Sequence, residues 1–457
     1  MEWRKIREEG ERGLSAYAAR SAMSKGRLQA EERCPIRTEF ERDHNRILYS
    51  VDFRRLRHKT QVFFNAKNDH ICTRMEHVLY VGAIARTIAR SLNLNEDLAY
   101  AIALGHDLGH APFGHTGERV LDKCVKRIDA GLGFEHEIHS LRVVDRLATR
   151  RISYDWGANA EDADANPYEN AGGRGAHGET GGSAYGESGR GEYGEAGCAD
   201  SGGPKGGSAR RNSGAHGETG GRDSRKPGAA PPARKGLNLT FEVRDGIACH
   251  CGERYDEYSV SPDYAKKPES LAGADVRHQA PATLEGCVVR MVDKIAYVGR
   301  DIEDALRTGI IGVGDISKDV LGELGFTNGQ IINALVSDLI ENSYEKGHIT
   351  LSAHKGEALE SLINENVRTI YKSDRIAEYE RSMSNTMEGL FNGLNYALQK
   401  GEDALQSAEE RVFRLFAAYI SEQGYGPSES PAQRILDFVA GMTDNFALQC
   451  YEELYWM

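Results

Sequence analysis

"TRMEHVLYVGAIARTIARSLNLNEDLAYAIALGHDLGHAPFGHTGE", residues 73–118, carries two patterns in succession. In its first two thirds, apolar residues recur every three or four positions: Val78, Val81, Ala85, Ile88 and Leu92, then Leu98, Ala101, Ile102 and Gly105. That spacing is the buried stripe of a helix. It predicts one helix from Arg74 and a second over about 96–110, ended by Pro112. The last sixteen residues then gather His106, His110 and His115 with Asp107 and Glu118, beside one proline and four glycines. Nothing in helix packing asks for so many imidazoles and carboxylates together, so chemistry is the question this stretch raises.

The same period returns on both sides. Helices are expected over about 135–149, with Ile138, Leu141, Val144 and Leu147 along one face, and over 287–306, 329–344 and 408–423. Period-two alternation is almost absent, so the fold class is all-α. Residues 155–235 break the pattern. They are Gly, Ser, Ala, Glu and Arg with almost no large aliphatics, and "GAHGETGG" occurs there twice. Such a composition cannot bury a hydrophobic face, so a long disordered Gly-rich insertion is expected, with His177 and His216 as solvated linker residues. Order is expected to resume at "GLNLTFEVRDGIACH", 236–250. The chain then divides into an N-terminal arm (1–33), a first part of the main domain (34–154), the insertion (155–235), a second part (236–310) and a C-terminal helical region (311–457).

The totals exclude several classes. Of 457 residues, 57 are Lys or Arg and 69 Asp or Glu, a net charge of −12. Such a chain is not built to coat itself on nucleic acid or an anionic membrane. No run approaches the ~18–20 apolar residues of a membrane span, and the charged N-terminus lacks a signal-peptide core. Eight scattered cysteines read as reduced thiols in a cytoplasmic protein. The Cys249–His250–Cys251 run has a one-residue gap, shorter than the usual zinc spacing, and a second metal there is the minor reading.

His106 and His110, four apart, would share a helix face, with Asp107 at its flank. His with Asp is a borderline-hard donor set suited to a divalent ion: Mn, Mg, Fe, Co, Ni or Zn. A pair is not a site, and an isolated helical histidine is usually a satisfied surface or core residue. Further ligands must come from elsewhere in the chain.

Six blocks, in order, supply the context: "FRRLRHKTQVF" (53–63), "TRMEHVLYVGAIAR" (73–86), "HDLGHAPFGHTGE" (106–118), "GFEHE" (133–137), "GLNLTFEV" (236–243) and "DKIAYVGRDIEDA" (293–305). Together they resemble the HD-domain phosphohydrolases, and within them the dGTPase-like deoxynucleoside-triphosphate triphosphohydrolases. The resemblance implies a divalent metal held by His77, His106, Asp107 and Asp293. The ion would polarise the α-phosphate and acidify water, and a dNTP, with dGTP favoured, would be cut to deoxynucleoside and inorganic triphosphate. It further implies catalytic roles for His115, Glu118, His110 and His136. Lys294 and Arg74 would meet phosphate, Tyr297 would pack on the deoxyribose, Asp301 would accept from the 3′-hydroxyl, and Gln61 would touch sugar or base. Homo-oligomers, hexamers among them, fit the resemblance, and no nucleic acid is required. Two other functions are weighed against it: a different HD-type nucleotidase or phosphodiesterase, and a catalytically silent nucleotide-binding regulator. The insertion departs from the family pattern, which has a short connection there.

Overall fold

A computed structural model describes residues 3–63, 70–150, 234–251, 256–272 and 276–455. The expected insertion and its two histidines lie outside the described residues, apart from the closing pair Arg234–Lys235. The described chain is built from helices, and its strands are two-residue ladders only. The all-α expectation therefore holds for the described chain.

The first expected helix runs Arg74–Ser91 and buries Val78, Val81, Ala85 and Ile88. Its start is set by a capping box: the Thr73 hydroxyl accepts from the Glu76 backbone, and Glu76 reaches back to Thr73. The second is capped by Asn95 and runs Glu96–Gly105. Both pack on the 25-residue helix Leu284–Thr308. A fourth helix, Phe241–Ala248, is buried over its whole length. Burial all round leaves no solvated face, so its polar residues need partners. Arg244 is paired twice, at 2.6 Å, with Asp145, and Glu242 accepts from the Ser24 hydroxyl and the Lys25 backbone, each at 2.7 Å. The helix also comes very close to its neighbour. A Cβ on Gly246 would sit 2.5 Å from the Ile102 side chain.

Those contacts fasten the N-terminal arm. After a short helix, Trp3–Gly10, the arm lies in extended and 3₁₀ turns, and buried Arg27 bridges Glu39 and Asp43 at 2.5 Å each. Glu285 ties the arm to the core, its Oε1 accepting from the Ala19 and Asn95 backbones at 3.0 and 2.9 Å. Its Oε2 is buried without a hydrogen-bond partner, and burial pushes this carboxyl up to about 7. Between the unfolded value, about 4.3, and that point the folded state holds a proton the unfolded chain has released. Stability should therefore fall as pH rises through this window, by on the order of 3 kcal/mol. Glu285→Gln should flatten that dependence in urea unfolding measured between about pH 4 and pH 8.

A second apolar cluster joins Phe113, Leu121 and Val125 to Met387, Phe391 and Leu436. It seats the helix Gly114–Ile128 on the C-terminal helices Asp374–Gln399 and Pro431–Ala440. The two flanks of the insertion pair antiparallel, Thr149 with Lys235 and Arg150 with Arg234. The chain thus leaves and re-enters the fold at one place, a geometry a short loop can close. Loop entropy changes only logarithmically with length, by ~0.6 kcal/mol per doubling. Deleting 160–232 should leave melting temperature and hydrolysis essentially unchanged; a folded deletion variant without turnover would show that the insertion takes part.

Candidate active site

The helix carrying the His–Asp pair ends sooner than its periodicity suggests. It stops at Gly105, and residues 106–109 form successive turns, so His106 and His110 do not share a helix face. The cause is a tertiary contact. Ser140, from the helix His136–Arg142, donates its hydroxyl to the His106 carbonyl at 2.6 Å and accepts from the Gly109 amide at 2.8 Å. One side chain thereby takes up two backbone groups that another helical turn would have used. Only glycine fits at 109, where a Cβ would lie 2.1 Å from the Ser140 nitrogen. Beyond the turn, Phe113 adopts φ 60°, a left-handed conformation uncommon for a bulky residue. Asp444 holds it there, accepting from the Phe113 amide at 2.9 Å and from the Thr60 amide at 2.8 Å.

Unwinding presents His106 and Asp107 to two long helices. His77 comes from the first turn of Arg74–Ser91, and Asp293 from the middle of Leu284–Thr308. His77 Nε2 lies 2.9 Å from Asp293 Oδ1, and His106 Nε2 lies 3.6 Å from Asp107 Oδ1 and 3.7 Å from Asp293 Oδ1. Ligand atoms of His77, His106 and Asp107 all fall within 4.8 Å of one another. Burial alone would raise Asp293, yet the His77 hydrogen bond and the neighbouring imidazoles hold it below the usual carboxylate range. Burial likewise opposes a charged His77, but Asp293 raises it above the ordinary histidine value.

These residues fit a divalent cation. His106 Nδ1 bonds the Ala103 carbonyl at 2.7 Å, which leaves Nε2 as the atom with a lone pair; that Nε2 is buried and has no hydrogen-bond partner. An unmatched buried polar atom costs ~1–3 kcal/mol. A metal ion would satisfy it, with the backbone carbonyl fixing the ring orientation behind it. Two imidazoles and two carboxylates make a donor set for a borderline or hard divalent ion.

The other histidines form a second layer. His110 sits 3.2 Å from Asp107 Oδ1 through Nε2 and stacks on His136 with ring centres 3.8 Å apart. Glu118 joins two of them: Oε1 accepts from the His136 amide at 2.9 Å and lies 3.1 Å from its Nδ1, while Oε2 lies 3.1 Å from His115 Nδ1. The two stacked rings are given opposite proton affinities by their surroundings. Burial, Arg74 and His136 hold His110 well below its normal value. Burial also works against a charged His136, but Glu137 and Glu118 lift it to about 9. One ring is thus kept neutral and its neighbour protonated near neutral pH, the separation that assigns acid and base roles in a site.

Both layers open on a cavity of about 750 Å³. Gln61, Arg74, Tyr297 and Asp301 line it, as do His77, Asp107, Asp293, His110, His115, Glu118 and His136. His106 lies behind that wall, fully buried. Arg74 is buried; Nη1 donates to Asp107 Oδ2 at 2.8 Å, while Nε and Nη2 have no hydrogen-bond partner. Burial pushes the Asp301 carboxyl up to about 7, and it accepts from the Tyr371 hydroxyl. Lys294, expected to meet phosphate, is not among the residues lining this cavity, and its ammonium donates to the Glu257 carbonyl at 3.3 Å. It follows Asp293 by one position, about 100° round the helix, and so faces another way. Ser140, Tyr371, His250 and Cys251 are site-region residues that periodicity did not single out for these positions. Only the Cys249–His250–Cys251 run left a visible mark.

The chain is similar to known proteins along nearly all of its length. The HD-domain profile matches residues 74–169, and the phosphohydrolase-associated domain profile matches 349–453. A deoxyguanosinetriphosphate triphosphohydrolase-like protein of Caldanaerobacter subterraneus subsp. tengcongensis is 34% identical over all of this chain and 96% of its own length. Proteins of the same description from Desulfatibacillum aliphaticivorans and Ralstonia nicotianae are 32% and 31% identical, each over 97% of this chain and 95% and 94% of their own. With relatives above 30% identical over nearly the full length of both chains, and the HD-domain profile over the His–Asp turn, the chain belongs to the dGTPase-like family of HD-domain phosphohydrolases.

Proposed function

We propose that this protein hydrolyses a deoxynucleoside triphosphate, dGTP by preference, to deoxynucleoside and inorganic triphosphate. The observation that carries the reading is the His77–His106–Asp107–Asp293 cluster, three of its members buried and Asp293 partly so. It shares one cavity with the His115–Glu118–His136 array and with Asp301, about two helical turns further along the Asp293 helix.

His77, His106, Asp107 and Asp293 would hold a divalent metal, which supplies Lewis-acid polarisation of the phosphate and a lowered pKa for water. The chain's own residues do the rest. A triphosphate brings about four negative charges, which oppose an attacking hydroxide until donors offset them. The two unspent nitrogens of Arg74 suit that task, since guanidinium geometry matches phosphate oxygens. Water adds at the α-phosphorus, the bond to the 5′ oxygen breaks, and that oxygen needs a proton. His115, on the cavity wall and held by Glu118, is placed to give it. Tyr297 closes on the sugar where a 2′-hydroxyl would sit, and Asp301, bonded by Tyr371, faces the 3′-hydroxyl. A cytoplasmic homo-oligomer belongs to the same reading.

The test is to incubate the protein with each dNTP and NTP and Mn²⁺ or Mg²⁺. Inorganic triphosphate from dNTPs is the expected product. Pyrophosphate or orthophosphate would favour another HD-type phosphohydrolase, and bound but intact dNTP a silent regulator. Tyr297→Ala should admit ribonucleotides, lowering the dGTP/GTP ratio of kcat/KM by ~10-fold or more. If wild type cuts GTP as fast as dGTP, Tyr297 has no such role.

A further inference from the structure

The described chain holds a second group of donors that the proposed reaction leaves only partly used. His136, His250 and Cys251 offer three ligand atoms within 4.8 Å of one another. His250 is fully buried. Its Nδ1 bonds the Ile247 carbonyl at 2.7 Å, so Nε2 carries the lone pair, and that Nε2 is buried with no hydrogen-bond partner. This repeats the arrangement at His106, where Nδ1 bonds the carbonyl three residues back and Nε2 is orphaned. His136 is oriented in the same manner by a carboxylate: Glu118 lies 3.1 Å from Nδ1, and Nε2 faces Cys251 Sγ at 3.7 Å, so a cation bound there takes the place of the proton that this ring carries when the site is empty. A tetrahedral zinc with bonds of about 2.05 Å to nitrogen and 2.3 Å to sulfur sets its nitrogen and sulfur ligands about 3.6 Å apart. The observed spacing is close to that.

We propose that His136 Nε2, His250 Nε2 and Cys251 Sγ form a second cation site, beside the His–Asp cluster and selective for a borderline-soft divalent ion such as Zn²⁺. The sulfur decides the class of ion, because thiolate favours zinc over Mg²⁺ or Mn²⁺. Cys249 takes no part. It is buried on another side, accepting from the Lys266 ammonium at 3.1 Å and donating to the Val276 carbonyl at 3.3 Å. The Cys–His–Cys run is therefore not a local chelate; its middle and last residues meet a histidine more than a hundred positions earlier. Cys251 and His136 both line the cavity, so a fourth coordination position faces the space where phosphate would lie. His250 is also the neighbour of the first cluster, its ring centre 4.8 Å from that of His106, which places the two sites side by side.

The site can be tested without turnover and without knowing the nucleotide. Full-length protein saturated with Mn²⁺ is titrated with Co²⁺ while absorbance is followed. A thiolate-to-cobalt charge-transfer band in the near ultraviolet should grow to one Co²⁺ per chain, and added Zn²⁺ should bleach it. Cys251→Ser, at a half-buried position, should abolish the band while elemental analysis still finds one tightly held metal. Unchanged near-ultraviolet circular dichroism would show that the variant is folded. No band in wild type, or a band that persists in Cys251→Ser, overturns the proposal. So does a wild-type protein that binds a single metal, lost in His250→Asn, because His250 would then serve the first cluster.

Discussion

Asp293→Ala should lose its first-site metal and at least ~10³-fold in turnover. Asp293 Oδ1 is the atom to which both His77 and His106 converge, at 2.9 and 3.7 Å. Removing it leaves two buried imidazoles without the carboxylate that stands beside both. Metal catalysis contributes several kcal/mol, and each 1.36 kcal/mol is a tenfold change in rate. A loss of about 4 kcal/mol therefore gives the stated factor. Metal content by elemental analysis and triphosphate release should fall together, with the variant still folded by thermal melting. The alanine also costs ~1–3 kcal/mol of stability, since His77 loses a buried partner. A folded variant that keeps its metal and works within tenfold of wild type would remove Asp293 from the ligand set.

His115→Ala should behave in the opposite way, lowering kcat by ~10²–10⁴-fold with metal content untouched. His115 is well suited to this test. Its side chain is 66% exposed, so its removal opens no cavity in the core. Glu118 keeps both contacts to His136, and Asp107 keeps its bond to Arg74. A structural explanation for lost activity is thereby excluded in advance. If metal disappears along with activity, His115 is a ligand; if kcat is unchanged, the proton comes from another residue.

How far each feature could be read from the chain depends on what kind of force made it. The stripe Val78, Val81, Ala85 and Ile88 was legible because burial of one helix face leaves a local, periodic trace. The same holds for the Asp293, Tyr297 and Asp301 spacing, which one helix suffices to align along the cavity. The extent of the His–Asp helix was misread because its end is imposed by Ser140, more than thirty residues away, in a hydrogen bond that no local pattern encodes. The surroundings of Lys294 were hidden for a related reason. Its neighbour Asp293 faces the cavity, but which way an adjacent position points is settled by what packs on that side, here the Glu257 carbonyl. The pairing of Cys251 with His136 could not be seen at all from a Cys–His–Cys spacing that argued against a local metal site.

What the linear chain disclosed was its helical class, the place of several of its longer helices, and the six motif blocks that tie it to HD-domain phosphohydrolases. Periodicity and motif order are properties of neighbouring residues, and a linear reading keeps them. Packing, and nothing short of it, put His106 and Asp107 in an unwound turn, brought His77 and Asp293 to them from two other helices, and lowered the proton affinity of His110 while raising that of His136. Those outcomes depend on burial and on charges brought together across hundreds of residues, and neither exists until the helices have packed.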